Sequence, residues 1–176
     1  EGVLGKMPQP WRNLGQGGEE SKDMLAPVVN EVKALRPEYI RLDHIYDAFN
    51  VVSGEGGSLQ YNWSGLDAAV NTILATGAKP MLSLSYMPLS ISSGDIISPP
   101  KNWNDWGNVV QSTIEHYSGR TQNNINGVIY EVWNEPDLFG GYKTYGEKNY
   151  LDMYAASAKG AARARNVNPF EIGGPA

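Results

Sequence analysis

No cysteine occurs among the 176 residues, which excludes a disulfide framework and a thiolate metal site and leaves the redox compartment open. Only two histidines, His44 and His116, are present, too few for a His-rich zinc site. No run of about 20 apolar residues occurs, so no membrane-spanning helix is expected. The opening Glu1-Gly2 begins no basic-then-apolar leader pattern. Basic residues are scarce: 14 Lys and Arg against 19 Asp and Glu give a net charge of −5. Phosphate binding needs a clustered basic excess, so a nucleic-acid partner is excluded and a neutral ligand fits better. The 41% hydrophobic content is ordinary for a globular domain with a real core. The length is short for a closed eight-fold barrel, which usually takes about 250 residues.

Four stretches read as buried strands, at residues 39–45, 81–86, 128–133 and 170–173, with a fainter one near 11–14. Helical patterns alternate with them. The first carries Met24, Leu25, Val28, Val29, Val32 and Leu35 on one face behind a Ser21 cap. The second, over 66–76, opens with Ser64 and Asp67 at capping-box spacing and ends at Gly77. The third uses Trp103, Trp106, Val109, Val110, Ile114 and Tyr117; the fourth, over 149–164, uses Tyr150, Leu151, Tyr154, Ala155 and Ala158. Such alternation implies parallel strands joined by crossovers, in a doubly wound sheet or a (β/α) barrel. Glycine-rich loops at 54–57 and 90–100, and the loop after Trp133, leave the carboxyl ends of strands and are expected to wall a site. Gly15-Gln16-Gly17-Gly18 lacks the third glycine of a dinucleotide fingerprint, because Glu20 occupies that place, and reads as a tight turn. Asn62-Trp63-Ser64 matches a glycosylation acceptor, a triplet common by chance.

The most informative stretch is Tyr130-Glu131-Val132-Trp133-Asn134-Glu135-Pro136. It sets a carboxylic acid at the end of a β-branched and aromatic run, next to an amide able to hold a sugar hydroxyl, before a proline that turns the chain out of the strand. Barrel enzymes carry their reactive groups at strand ends, so the pattern points to glycoside chemistry. Glu131 lies a layer deeper on the same alternation, where pairing with a buried cation is expected, and Arg41 can be that cation.

With these segments in view, the chain resembles clan A glycoside hydrolases, and within them family 39, which includes β-xylosidases and α-L-iduronidases. Residues 131–136 resemble the strand-four signature. Tyr39-Ile40-Arg41 resembles the second strand, Lys79-Pro80 through Tyr86-Met87-Pro88 the third, and Ile172-Gly173-Gly174-Pro175-Ala176 the fifth. The stretch Pro99-Pro100-Lys101 with Trp103 and Trp106 resembles the approach to the third helix. The resemblance implies a (β/α)8 barrel of which residues 1–176 form the first half, a single partial domain. It implies Glu135 as general acid/base and Asn134 as a contact to the hydroxyl beside the scissile bond. It also implies a retaining mechanism whose nucleophile, on strand seven, lies outside this chain. Where the family has Arg-x-His, this chain reads Arg41-Leu42-Asp43-His44, so either Asp43 faces the ligand or His44 reaches it from a shifted strand end.

The expected glycoside contacts are therefore Asn134, Arg41, Asp43, His44, Tyr86, Trp133 and Phe139, with no metal and no cofactor implied. Aromatic rings suit the apolar face of a pyranose, although Trp103 and Trp106 sit on an amphipathic helix and read better as core. The expected partners are an oligosaccharide or glycoside and the remaining half of the barrel, in the same chain or by association. Two other readings stand beside this one: a carbohydrate-binding barrel without catalysis, and an assembly module of paired half-barrels.

Overall fold

The computed structural model describes residues 2, 5, 7, 9–16 and 23–175. Its strands are β1 (Asn13–Gln16), β2 (Tyr39–Leu42), a hairpin of β3 (Val52–Glu55) and β4 (Ser58–Tyr61), β5 (Lys79–Ser83), β6 (Ile129–Glu131) and β7 (Glu171–Gly173). The helices are α1 (Val29–Ala34), α2 (Ser64–Ala75), α3 (Trp103–Tyr117) and α4 (Tyr150–Arg163). The central sheet runs β1-β2-β5-β6-β7, every pair parallel. Strands laid down in chain order without a reversal are those of a barrel wall; a doubly wound sheet turns back on itself at a switch point.

The two faces of this sheet differ in cover. Ile40, Leu42, Leu82 and Tyr130 point to the helices and are buried. Register places Arg41, Met81, Ile129 and Glu171 together on the other, inner face, where all but the last are half-buried. That inner face holds the candidate site at its carboxyl end.

Strand lengths depart from the sequence reading where the backbone turns left-handed. β2 stops at Leu42 rather than residue 45 because His44 has φ +53, and β6 stops at Glu131 rather than 133 because Trp133 has φ +72. Neither angle continues a pleated ladder. β5 begins at Lys79 and leaves the sheet after Ser83, where the Ser85 amide turns back to the Ser83 carbonyl at 2.8 Å. The 54–57 loop is not a free wall: Gly56 and Gly57 form the two-residue turn of the β3–β4 hairpin. The Gly57 amide donates to Asp105 Oδ1 at 3.1 Å, docking the turn on the first turn of α3.

The helices also differ from expectation in instructive ways. Pro27 opens a 3-10 turn over Ala26–Val28, which confines α1 to Val29–Ala34 and leaves Met24, Val28 and Leu35 exposed. At α2 the expected capping box does not form. Instead Asn62 Oδ1 accepts from the Ser64 amide at 3.2 Å and its hydroxyl at 2.8 Å, a local turn that competes with the box. Gly77 does end this helix, at φ +89. α3 buries the expected stripe, with Trp106 Nε1 donating to Ser157 Oγ of α4 at 2.8 Å; Trp103 is half-buried. The expected Ser21 cap and the Gly17-Gly18 turn lie outside the described residues.

α4 is rotated from the expected face. It buries Met153, Ala156, Ser157, Gly160 and Ala161, leaving Leu151 and Ala155 exposed. Small residues win because α3 and α4 meet backbone to backbone: a Cβ on Gly160 would sit 2.3 Å from the Gly107 carbonyl oxygen. Gly160→Ala is therefore expected to destabilise the protein by about 1–3 kcal/mol through overpacking, despite alanine's better helix propensity. A urea melt in which the variant is as stable as the parent would contradict this contact.

Candidate active site

Every polar side chain of the site hangs from the carboxyl end of β2, β5 or β6. Arg41, on the inner face of β2, donates from Nε to Glu131 Oε2 at 2.8 Å. Its Nη2 lies 2.6 Å from the same oxygen and donates to Asn134 Oδ1 at 2.7 Å. Its Nη1 stands 3.7 Å from Asp43 Oδ2, two residues along the same face. Because Oδ1 of Asn134 is taken by a cation, its amide nitrogen is turned to Tyr86 and donates to Oη at 2.7 Å. The pairing of Glu131 with Arg41 is the one strand alternation leads one to expect.

The turn after β6 breaks that alternation. Left-handed φ values at Trp133 (+72) and Glu135 (+41) bracket Asn134. A bulky residue held there carries backbone strain of order 1–3 kcal/mol, and such outliers gather at working sites. Trp133 is thereby swung away from the expected sugar-contacting face. It is 0% exposed, its Nε1 donates to the Phe139 carbonyl at 2.9 Å, and its ring meets Tyr86, Trp106 and Tyr142 edge-on. It is a packing residue beneath the site. Asn134 takes the place that alternation gave to Trp133, and Glu135 projects into solvent beyond it. The Leu138 and Phe139 amides close on the Glu135 carbonyl at 3.0 and 2.7 Å, so the acid sits on a hydrogen-bonded turn. Phe139 is part-exposed, with its ring centroid 5.8 Å from that of Tyr86.

At the end of β2, Asp43 and His44 turn to different neighbours. Asp43 stays beside Arg41, while the positive φ at His44 brings its ring edge-on to Tyr86 at 4.6 Å. Asp47, which the sequence reading did not single out, joins the two: one oxygen pairs with His44 Nδ1 at 2.8 Å and the other accepts the Tyr86 amide at 3.1 Å. Its signal was the His-x-x-Asp spacing across a turn. Burial pushes the Tyr86 phenol above its ordinary value; the bond from Asn134 opposes this, and the charges of Asp43, Asp47 and Glu135 add to the rise.

Two loops make the rim. Lys148 ties them, donating to the Ile97 carbonyl at 3.3 Å and the Gly140 carbonyl at 2.9 Å. Among the described residues no group of three or more His, Asp or Glu converges as metal ligands, and none of the helices is long and apolar enough to cross a membrane. The chemistry within reach is that of a carboxylic acid beside an ordered amide, a cation and a histidine: binding of hydroxyls and transfer of a proton.

Known proteins resemble this chain in sequence and in fold. A Beta-xylosidase of Geobacillus stearothermophilus is 29% identical over 126 residues, 66% of this chain and 24% of that protein. One of Caldicellulosiruptor saccharolyticus is 29% identical over 150 residues, 79% and 30% respectively. Among solved structures, a monomeric beta-xylosidase from Caulobacter crescentus CB15 superposes with a TM-score of 0.72 at 25% identity, over 93% of this chain and 35% of that one. The GH39 enzyme from Xanthomonas axonopodis pv. citri gives 0.74 at 24% identity, over 93% and 34%, a likeness of fold. The chain thus spans about a quarter to a third of the length of these relatives, and its five strands are part of a (β/α)8 barrel. The model of Glycosyl hydrolases family 39 matches residues 4–176, and the chain belongs to that family.

Proposed function

We propose that these residues form the acid/base half of a retaining glycoside hydrolase acting on β-xylosides or close relatives. Glu135 is its general acid/base, and the nucleophile is supplied from outside residues 1–176. The observation that carries this reading is the placement of Glu135 one residue beyond Asn134, whose amide is fixed at both ends by Arg41 and Tyr86. An immobilised amide next to an acid is what a glycosidic oxygen and its neighbouring hydroxyl require together. In retaining enzymes two carboxyl groups stand about 5–5.5 Å apart across the bond; one attacks while the other protonates the leaving oxygen and later deprotonates water. Arg41, Asn134, His44 and Asp43 would hold the sugar, with Tyr86 and Asp47 ordering them from below. Phe139 lines the wall. The remaining half of the barrel, in the same chain or by association, would complete the pocket.

The test is hydrolysis of an aryl β-xyloside by the full-length protein, with the first-formed sugar followed by NMR. The β-anomer is expected first. Binding without hydrolysis would favour a non-catalytic carbohydrate-binding barrel instead, and an α-anomer would exclude retention. Residues 1–176 alone are expected to give no turnover, since one carboxylate of the pair is missing; turnover by them would refute the half-site assignment.

A further inference from the structure

We infer that Glu131 is a positioning residue for the reaction, acting through Arg41 on the amide of Asn134. It is 2% exposed, yet its carboxylate is used lopsidedly. Both the Nε and Nη2 groups of Arg41 converge on Oε2, while Oε1 is buried without a hydrogen-bond partner among the described residues. A half-satisfied buried carboxylate is a poor stability device, because desolvation offsets most of the ion-pair gain. Its geometric consequence is large. Pinning two N–H groups on one oxygen fixes the rotation of the guanidinium, and the same Nη2 then meets Asn134 Oδ1 at 2.7 Å. That bond decides which end of the Asn134 amide faces which way, sending Nδ2 to Tyr86 Oη. A continuous chain of contacts follows, Glu131 to Arg41 to Asn134 to Tyr86, whose amide is held by Asp47, itself paired with His44. Glu131 anchors the buried inner end of this chain, held by Arg41.

The inference rests on the glycosidase reading and on Asn134 meeting the hydroxyl beside the scissile bond. It is tested in the full-length protein with Glu131→Gln, on an aryl β-xyloside and on its 2-deoxy counterpart. On the hydroxylated substrate kcat is expected to fall about 10- to 100-fold, the worth of a hydrogen bond to a charged group, with KM moving less than about threefold. On the 2-deoxy substrate the loss should be under about threefold, because the amide being positioned has nothing to hold. Equal losses on both substrates, or none on either, would overturn the role. Should Glu131→Gln not fold, Glu131→Asp reads the same ratio, since it keeps the charge but retracts it from Arg41. Failure of both to fold would mark Glu131 as a stability element and also overturn the inference. A parent protein that cleaves neither substrate sinks the glycosidase reading itself, whereas a parent that cleaves both with an unmoved ratio sinks the positioning role alone.

Discussion

Glu135→Ala in the full-length protein is expected to lower kcat on a glycoside with a poor leaving group by about 10²- to 10⁴-fold, the range of general acid–base catalysis. The loss should depend on the leaving group. An alkoxide must be protonated as it departs, so an alkyl or sugar aglycone suffers the whole deficit in the first chemical step. A dinitrophenolate leaves unprotonated, so with that substrate the glycosyl-enzyme still forms, and the missing base is felt only when water must be deprotonated. The expected trace is a burst of one equivalent of dinitrophenol followed by a slow steady state, with KM lowered because the intermediate accumulates. The variant itself should be nearly as stable as the parent, for Glu135 is exposed and on the far side of its turn from the core. Equal rate losses on activated and unactivated substrates, or no burst with the activated one, would remove Glu135 from the acid/base role.

The segment carrying Glu135 stands out in the sequence because a carboxylate, an amide and a proline follow a β-branched run there. The strands were legible for a simpler reason: Ile40, Leu42, Leu82 and Tyr130 fill the space between sheet and helices, and burial of such residues leaves a mark in composition. What stayed hidden was set by backbone torsion and by small side chains. Alternation put Trp133 on the inner face, and a single left-handed φ removed it. Nothing in its neighbours' hydropathy carries that turn. α4 was read by its large apolar residues, but its packed face is Ala156, Ser157, Gly160 and Ala161, where the driving term is close approach rather than apolar area. Asp47 was missed because its two contacts, His44 and the Tyr86 amide, lie on different strands' ends, 3 and 39 residues away in sequence. Within the cluster, Arg41 with Glu131 was readable because both belong to regular strands where alternation holds.

Arg41→Met is expected to have the largest effect on stability, about 3–5 kcal/mol, the cost of leaving a buried charge without its partner. Methionine keeps most of the stem's volume, so packing is little disturbed; what is lost is both contacts to Glu131 Oε2, from Nε and from Nη2. The cost should be asymmetric between the two partners. The Glu131 side chain is 2% exposed and cannot recruit water when its cation is removed, whereas that of Arg41 is 23% exposed and can, so Glu131→Gln should destabilise the protein much less than Arg41→Met. Replacing both residues by methionine removes the stranded charge together with its partner, and stability should return to within about 1–2 kcal/mol of the parent, as for other buried ion pairs exchanged for apolar groups. Activity should not return with it. The double variant has no guanidinium to orient Asn134, so the amide is free to flip and the hydroxyl-dependent part of kcat stays lost. Urea melts and xyloside kinetics on the same three proteins therefore separate two roles that one ion pair combines. A double variant that regains stability and also full activity would show that Arg41 and Glu131 serve the fold alone.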